Sequence, residues 1–293
     1  PDHTANTAQV AFEPPLAGVQ MQSSVPLSSG ECNDYRQALK ADFSDSARIR
    51  FAGSYPASCG EKVWSVAYAD PKRYALRAVE GMWREIGGEL AGTVREGQVP
   101  APGGVPSKPA FELSSPTLGE VVRDINKYSN NTMARQLFLT LGAEFVQEGD
   151  VLRDGEAAVR RWATQRKLAL PGLQLENGSG LSRRERISAA GLGALLQAGA
   201  NSPYAPEFMA SLPIAARDGT LRRRFVGQPV EARLKTGSLN DVRALAGYVK
   251  AVDGRRYALV VLINSPRASE LTPAMDALVA GLIRHPGRLE AEP

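Results

Sequence analysis

Histidine is nearly absent. The chain of 293 residues has two, His3 and His285, both within ten residues of a terminus, which argues against a Ser-His-Asp triad, a Cys-His pair or a multi-histidine metal site. No metal or organic cofactor is called for. Cysteine is equally scarce: Cys32 and Cys59 lack CxxC spacing and histidine partners, so they form a disulfide or remain two buried thiols. An even count suits a disulfide in an exported protein, where closing a loop of 27 positions contributes about 3.5 kcal/mol in the chain-entropy model. No run of 18 apolar residues is present to span a bilayer. Nor is there a strong charge of one sign, since 35 Lys+Arg against 31 Asp+Glu leaves +4; nucleic acid is not an expected partner. The segment after Pro1 lacks the basic start, apolar stretch and cleavage site of a signal peptide, so the sequence reads as a processed product or a piece of something longer.

What is present fits a globular protein. The apolar fraction of 43% and charged fraction of 23% lie near soluble-domain averages, and the length suits one large domain or two modest ones. Residues 1–31 are polar and broken by prolines, with short strand-like pieces such as Val10 to Phe12. A short helix over Asn33 to Ala41 and strands over Ala47 to Gly53 and Val63 to Ala69 follow from the spacing. Pro71 to Leu90 has helical periodicity, with Asp70 as N-cap. The stretch Val99 to Ala110 (VPAPGGVPSKPA) prevents a continuous helix and marks a boundary between regions 1–110 and 111–293. Beyond it, Thr117 to Lys127, Asn131 to Leu141, Gly155 to Lys167, Ser188 to Ala198 and Pro203 to Leu212 read as amphipathic helices, Asp154 and Ser188 serving as caps. Val230 to Leu239, Leu245 to Val252 and Arg256 to Asn264 read as strands of an antiparallel sheet, the last two joined by a two-residue turn at Asp253-Gly254. Thr272 to His285 forms a closing helix.

Two short motifs stand out: Ser129-Asn130-Asn131 between two helices, and Lys235-Thr236-Gly237-Ser238 on the first of the late strands. By chance S-x-N occurs on the order of once in a chain of this length, and K-T-G in about one chain in twenty. Without histidine, acyl transfer can move protons through lysine and serine. A substrate ending in a carboxylate needs cation and hydroxyl donors at a strand edge, and Lys235 and Thr236 supply them. Gly237 leaves the backbone bare for a peptide alongside, and the Ser238 N–H suits an oxyanion donor. Ser129 can relay a proton to a leaving amine, and the Asn131 amide can bind the substrate's amide. Plainer readings stand beside these: Ser129 as a helix cap, Lys235-Thr236-Gly237 as an edge charge with a twist or bulge, Arg222-Arg223-Arg224 as a solvated face or a contact to an anionic polymer, and Trp64, Trp83 and Trp162 as core.

On four segments, DINKYSNNTMARQLFLTLG around Ser129, ENGSGLSR around Gly178-Ser179-Gly180, LPIAARDGTLRRRF from Leu212 and RLKTGSLNDVRALAGYV from Arg233, with RIRFAGSYPASCGEK further upstream, the chain resembles the penicillin-binding serine DD-peptidases of the low-molecular-mass class C type. That resemblance implies an α/β (α+β) fold: a transpeptidase- or β-lactamase-like antiparallel sheet flanked by helices in 111–293, with residues 1–110 as part of a smaller inserted domain stapled by Cys32 and Cys59. It assigns Ser129 and Asn131 to the S-x-N element and Lys235, Thr236 and Gly237 to K-T-G; Ser238 stands where threonine is common, keeping the hydroxyl. Asn177 replaces an aspartate in a segment to which no catalytic role is given. The implied activity is that of an exported, cell-envelope D-alanyl-D-alanine carboxypeptidase/endopeptidase: its substrates are peptidoglycan peptides ending in D-Ala-D-Ala, its inhibitors β-lactams. The family nucleophile is the serine of S-x-x-K, and no serine here has lysine three residues later. The chain is therefore expected to be inactive alone, its partner being a missing N-terminal segment of the same protein. A non-catalytic binding or assembly module of the envelope is the alternative; a β-lactamase fits the four segments poorly.

Overall fold

The computed structural model describes residues 1–100, 104–105, 107–146 and 149–288, so part of the proline-rich stretch expected as a boundary lies outside the described residues. The chain divides into two compact units, Pro1–Glu112 and Leu113–Pro293.

The first unit holds β1 (Thr7–Gln9), β2 (Gln20–Met21), β3 (Ser24–Ser28), α1 (Tyr35–Leu39), β4 (Ala41–Asp45), β5 (Arg48–Phe51), β6 (Tyr55–Pro56) and α2 (Pro71–Glu85). These strands make two small sheets of order β1-β3-β6 and β2-β5-β4. Cys32 and Cys59 form a disulfide, and Cys59 is buried with Ala8, Val25, Leu39 and Tyr55. Asp70 caps α2 by accepting the Arg73 N–H. The first strand ends at Gln9 rather than covering Val10 to Phe12, because pairing with β3 stops at Gln9↔Ser24. Val63 to Ala69, expected as a strand, is unpaired chain. Its aromatics decide its path: Trp64 packs edge-on against Phe43 and Tyr35, and Tyr68 donates to the Ser46 carbonyl. It runs along a cavity of about 870 Å³ lined also by Phe51 and Tyr55.

The second unit contains α3 (Leu118–Tyr128), α4 (Asn131–Phe145), α5 (Val151–Gln165), α6 (Ala189–Ala200), α7 (Ala205–Ser211), β7 (Glu231–Leu239), β8 (Val242–Lys250), β9 (Arg256–Asn264) and α8 (Thr272–Arg284). Capping sets several starts. Thr117 and Glu120 form a reciprocal capping box on α3, and Ser188 caps α6. Helix α5 begins earlier than expected because Asp150, not Asp154, accepts its first N–H groups; Asp154 is buried inside the helix.

Strands β7, β8 and β9 form an antiparallel sheet in sequence order. Strand β8 starts at Val242, three residues before the expected Leu245, because the hairpin from β7 pairs Leu239 with Val242 across a two-residue turn. The β8–β9 connection is wider than expected. Gly254 alone takes positive φ (83°), its N–H bonds the Ala251 carbonyl, and Ala251 N–H bonds Arg255, giving a three-residue loop with a bulge. Alternation along β8 sorts its side chains. Leu245 and Val249 join Leu221, Leu234, Met275, Val279 and Leu282 under α8, while Ala246 and Tyr248 face Leu196, Phe208 and Leu212 of the opposite layer. Leu221, Leu234 and Leu245 are fully buried, and each such side chain contributes roughly 1.5–3 kcal/mol. Two tryptophans are not core: Trp83 is 47% and Trp162 40% exposed. Arg222 and Arg223 are exposed, but Arg224 pairs with Asp276.

Candidate functional site

Helices α3 and α4 are separated by two residues only, and each has a distinct task. Asn130 caps α4, its side-chain oxygen accepting the Met133 N–H at 3.0 Å. Ser129 closes α3 in the left-handed region (φ 53°, ψ 48°), its N–H bonded to the Ile125 carbonyl. Glycine or asparagine is the usual residue there, and a side chain in that region costs about 1–2 kcal/mol. The serine hydroxyl caps nothing. It accepts a hydrogen bond from the Lys235 ammonium, 106 positions further along the chain. Asn131, the first residue of α4, is half-buried beside this turn.

Strand β7 presents the other half. Its outer side is partly covered by the segment after α7: Leu234 N–H bonds the Pro213 carbonyl at 2.9 Å and Ala215 N–H bonds the Ala232 carbonyl at 3.0 Å. Those two bonds fix the parity, since an antiparallel residue directs both its backbone groups to one side. Even-numbered residues of β7 therefore point outward, and the Ser238 N–H lies on the side away from β8. Past Leu234 no strand covers that side among the described residues. Lys235 shares a sheet face with Ala246 and Thr236 the opposite face with Leu245. The Lys235 Nζ also donates to the Thr236 carbonyl at 2.8 Å, and burial pushes its pKa below the ordinary lysine value. The Thr236 hydroxyl donates to that of Thr220 at 2.9 Å. Gly237 lies opposite Ala244, close enough that an added Cβ would sit 3.2 Å from the alanine methyl. Ser238 is exposed.

Lys127 belongs to this arrangement and sequence reasoning missed it. Buried in the last turn of α3, it donates to the Leu212 carbonyl and to Asp218 Oδ2, both at 2.7 Å; the other Asp218 oxygen accepts the Ile214 N–H at 2.7 Å. A lysine at a helix C-terminus reads as a favourable surface cation, and no local pattern discloses a partner 91 positions away. Gly219 shows how tight this junction is: its φ is +53°, and a Cβ there would lie 2.4 Å from the Lys127 carbonyl oxygen. Gly178-Ser179-Gly180 forms a turn, with the Glu185 carboxylate accepting the N–H groups of Glu176, Asn177 and Gly178.

The arrangement joins a desolvated amine to a serine hydroxyl beside an open strand edge, a proton path next to a place where an extended peptide can pair. The sequence of residues 3–283 matches the D-Ala-D-Ala carboxypeptidase 3 (S13) family. The chain belongs to that family. It is 28% identical over 251 residues to the D-alanyl-D-alanine carboxypeptidase of Actinomadura sp. (strain R39), covering 83% of this chain and 46% of that protein. It is 28% identical over 211 residues to the D-alanyl-D-alanine carboxypeptidase DacB of Haemophilus influenzae, covering 71% and 43%. The chain thus spans less than half the length of these relatives. Penicillin binding protein 4 (dacB) from Haemophilus influenzae, solved with a β-lactam, superposes with a TM-score of 0.67 at 22% identity over 96% of this chain and 66% of that one. The α+β fold is that of this protein.

Proposed function

We propose that this chain carries two of the three motifs of an exported cell-envelope serine D-alanyl-D-alanine carboxypeptidase/endopeptidase that acts on peptidoglycan stem peptides and is acylated by β-lactams. The observation that carries the reading is the hydrogen bond from the partly buried Lys235 ammonium to Ser129. In this reading Ser129, Asn131 and Lys235 are catalytic, Thr236, Gly237 and Ser238 bind substrate, and a serine of an S-x-x-K element outside these 293 residues is the nucleophile. Residues 1–110 belong to the inserted region and residues 111–293 to the catalytic domain.

The geometry of the residues present supports the following chemistry. The nucleophile's Oγ adds to the substrate carbonyl while its proton passes to the lysine of its own motif. The tetrahedral oxyanion takes the Ser238 N–H as one donor, the kind of contact whose removal costs about 3–4 kcal/mol in kcat. As the C–N bond breaks, the Ser129 hydroxyl gives its proton to the leaving amine and recovers one from Lys235. Water then cleaves the acyl-enzyme ester, and the proton held by the lysine of the nucleophile's motif returns to Lys235, which restores both groups. The carboxylate at the substrate's end lies against Lys235 and Thr236, and the Asn131 amide holds the peptide.

A decisive test is release of D-alanine from a diacyl-L-lysyl-D-alanyl-D-alanine peptide by the protein expressed from its complete reading frame. Release there and none from the 293-residue chain is the expected pair of results. A full-length product that binds such a peptide without cleaving it would favour the envelope binding module, a reading suggested by the lack of any Ser-x-x-Lys in this sequence.

A further inference from the structure

We infer that Thr220 is a further carboxylate-binding residue of this site, its hydroxyl acting with that of Thr236 as one arm of a clamp whose other arm is Lys235. The inference rests on the peptidase reading and deepens it at the substrate's charged end.

Three observations carry it. First, Lys235 and Thr236 belong to opposite faces of β7, with Ala246 and Leu245 as their respective cross-strand partners, and the Lys235 ammonium reaches round to the Thr236 carbonyl, which points to the uncovered outer edge. An anion at that edge is flanked by the ammonium on one side and by hydroxyls on the other. Second, the Thr236 hydroxyl donates to Thr220 Oγ1 at 2.9 Å. Their mutual bond uses one of the pair's two hydroxyl protons, so the pair keeps one for an anion, and the exposed Thr220 hydroxyl is placed to present it. Accepting a hydrogen bond also makes a hydroxyl the better donor. Third, Thr220 is exposed but not loose. On one side Gly219 is locked against the Lys127 carbonyl and Asp218 is held by the Lys127 ammonium and the Ile214 N–H. On the other, Leu221 is fully buried. A solvent-facing hydroxyl fixed from both sides, and joined to the hydroxyl beside Lys235, is placed to recognise a ligand.

The test compares a penicillin with its methyl ester, which lacks the negative charge, as acylating agents of the complete reading-frame protein. In Thr220→Val, acylation by the free acid is expected to slow roughly tenfold or more, the usual scale for losing a hydrogen bond to a charged group, through weaker initial binding rather than a lower limiting rate. The ester is expected to react within about twofold of wild type, since it never had that interaction, and Thr220→Ser should restore the free-acid rate. Equal losses on both reagents, or no loss on either, would overturn the role of Thr220 while leaving the peptidase reading intact. A wild-type protein that neither reagent acylates would refute the reading and this inference together.

Discussion

Replacing Lys127 by methionine isolates the junction between the end of α3 and the segment that follows α7. Methionine keeps an unbranched apolar stem of similar length, so little packing is lost. Two polar groups lose their donor. The Leu212 carbonyl belongs to a residue only 4% exposed, and a buried acceptor left unpaired costs about 1–3 kcal/mol. Asp218 is different: its side chain is 39% exposed, against 9% for Lys127. Water recovers part of what its carboxylate loses, which places the ion pair nearer the ~1 kcal/mol of an exposed pair than the ~3–5 kcal/mol of breaking a buried one. Together these give a loss of about 2–4 kcal/mol. With a urea slope of roughly 2 kcal/mol/M, the unfolding midpoint of this unit should fall by about 1–2 M, followed by circular dichroism. Asp218→Asn removes the charge but keeps an acceptor for Ile214, so the double variant should be more stable than the sum of the two losses implies, by about 1 kcal/mol or more. A midpoint shift below about 0.3 M on that slope, or strict additivity, would refute the proposed role of the pair.

Three further outcomes are expected. Gly219→Ala should destabilise by at least about 2 kcal/mol, from a left-handed backbone and a Cβ placed against backbone rather than a movable side chain; a urea midpoint unchanged from wild type would contradict this. Reduction of Cys32–Cys59, or Cys32→Ser with Cys59→Ser, should cost the first unit about 3.5 kcal/mol for a separation of 27 positions, seen as a loss of amide-exchange protection confined to residues around Leu39 and Tyr55. For Lys235 the direction of a pH effect is fixed. Burial lowers its pKa below 10.5, so between the lowered value and 10.5 the unfolded chain binds more protons, and this group's contribution to stability rises with pH through that window. Below the window the burial penalty is fully present. The stability difference between Lys235→Met and wild type should therefore move in favour of wild type as pH rises toward 10.5, and a pH-independent difference would rule this out.

The sheet and closing helix were legible because their signals are local. Leu259 to Ile263 is a continuous apolar run, and Pro273 near the start of α8 marks its beginning. The Ser129 and Lys235 motifs could be found as residue types, but their meeting could not, because 106 positions separate them. The same distance effect hid Lys127–Asp218. Val63 to Ala69 failed for another reason: its alternation is that of a strand, yet no strand among the described residues pairs with it, and the contacts of Trp64 and Tyr68 prevail over propensity. Asp154 misled because a carboxylate near a helix start usually caps; Asp150, four residues earlier, does so instead. Trp83 and Trp162 show that an aromatic on a helical pattern need not reach a core.

Intact mass after incubation with a penicillin, on the 293-residue chain and on the product of the complete reading frame, decides where the nucleophile lies. One covalent penicilloyl adduct is expected on the full-length product, mapping to the serine of an S-x-x-K element outside these residues, and none on the shorter chain. An adduct on a serine within the 293 residues, or no adduct on either polypeptide, would contradict that assignment.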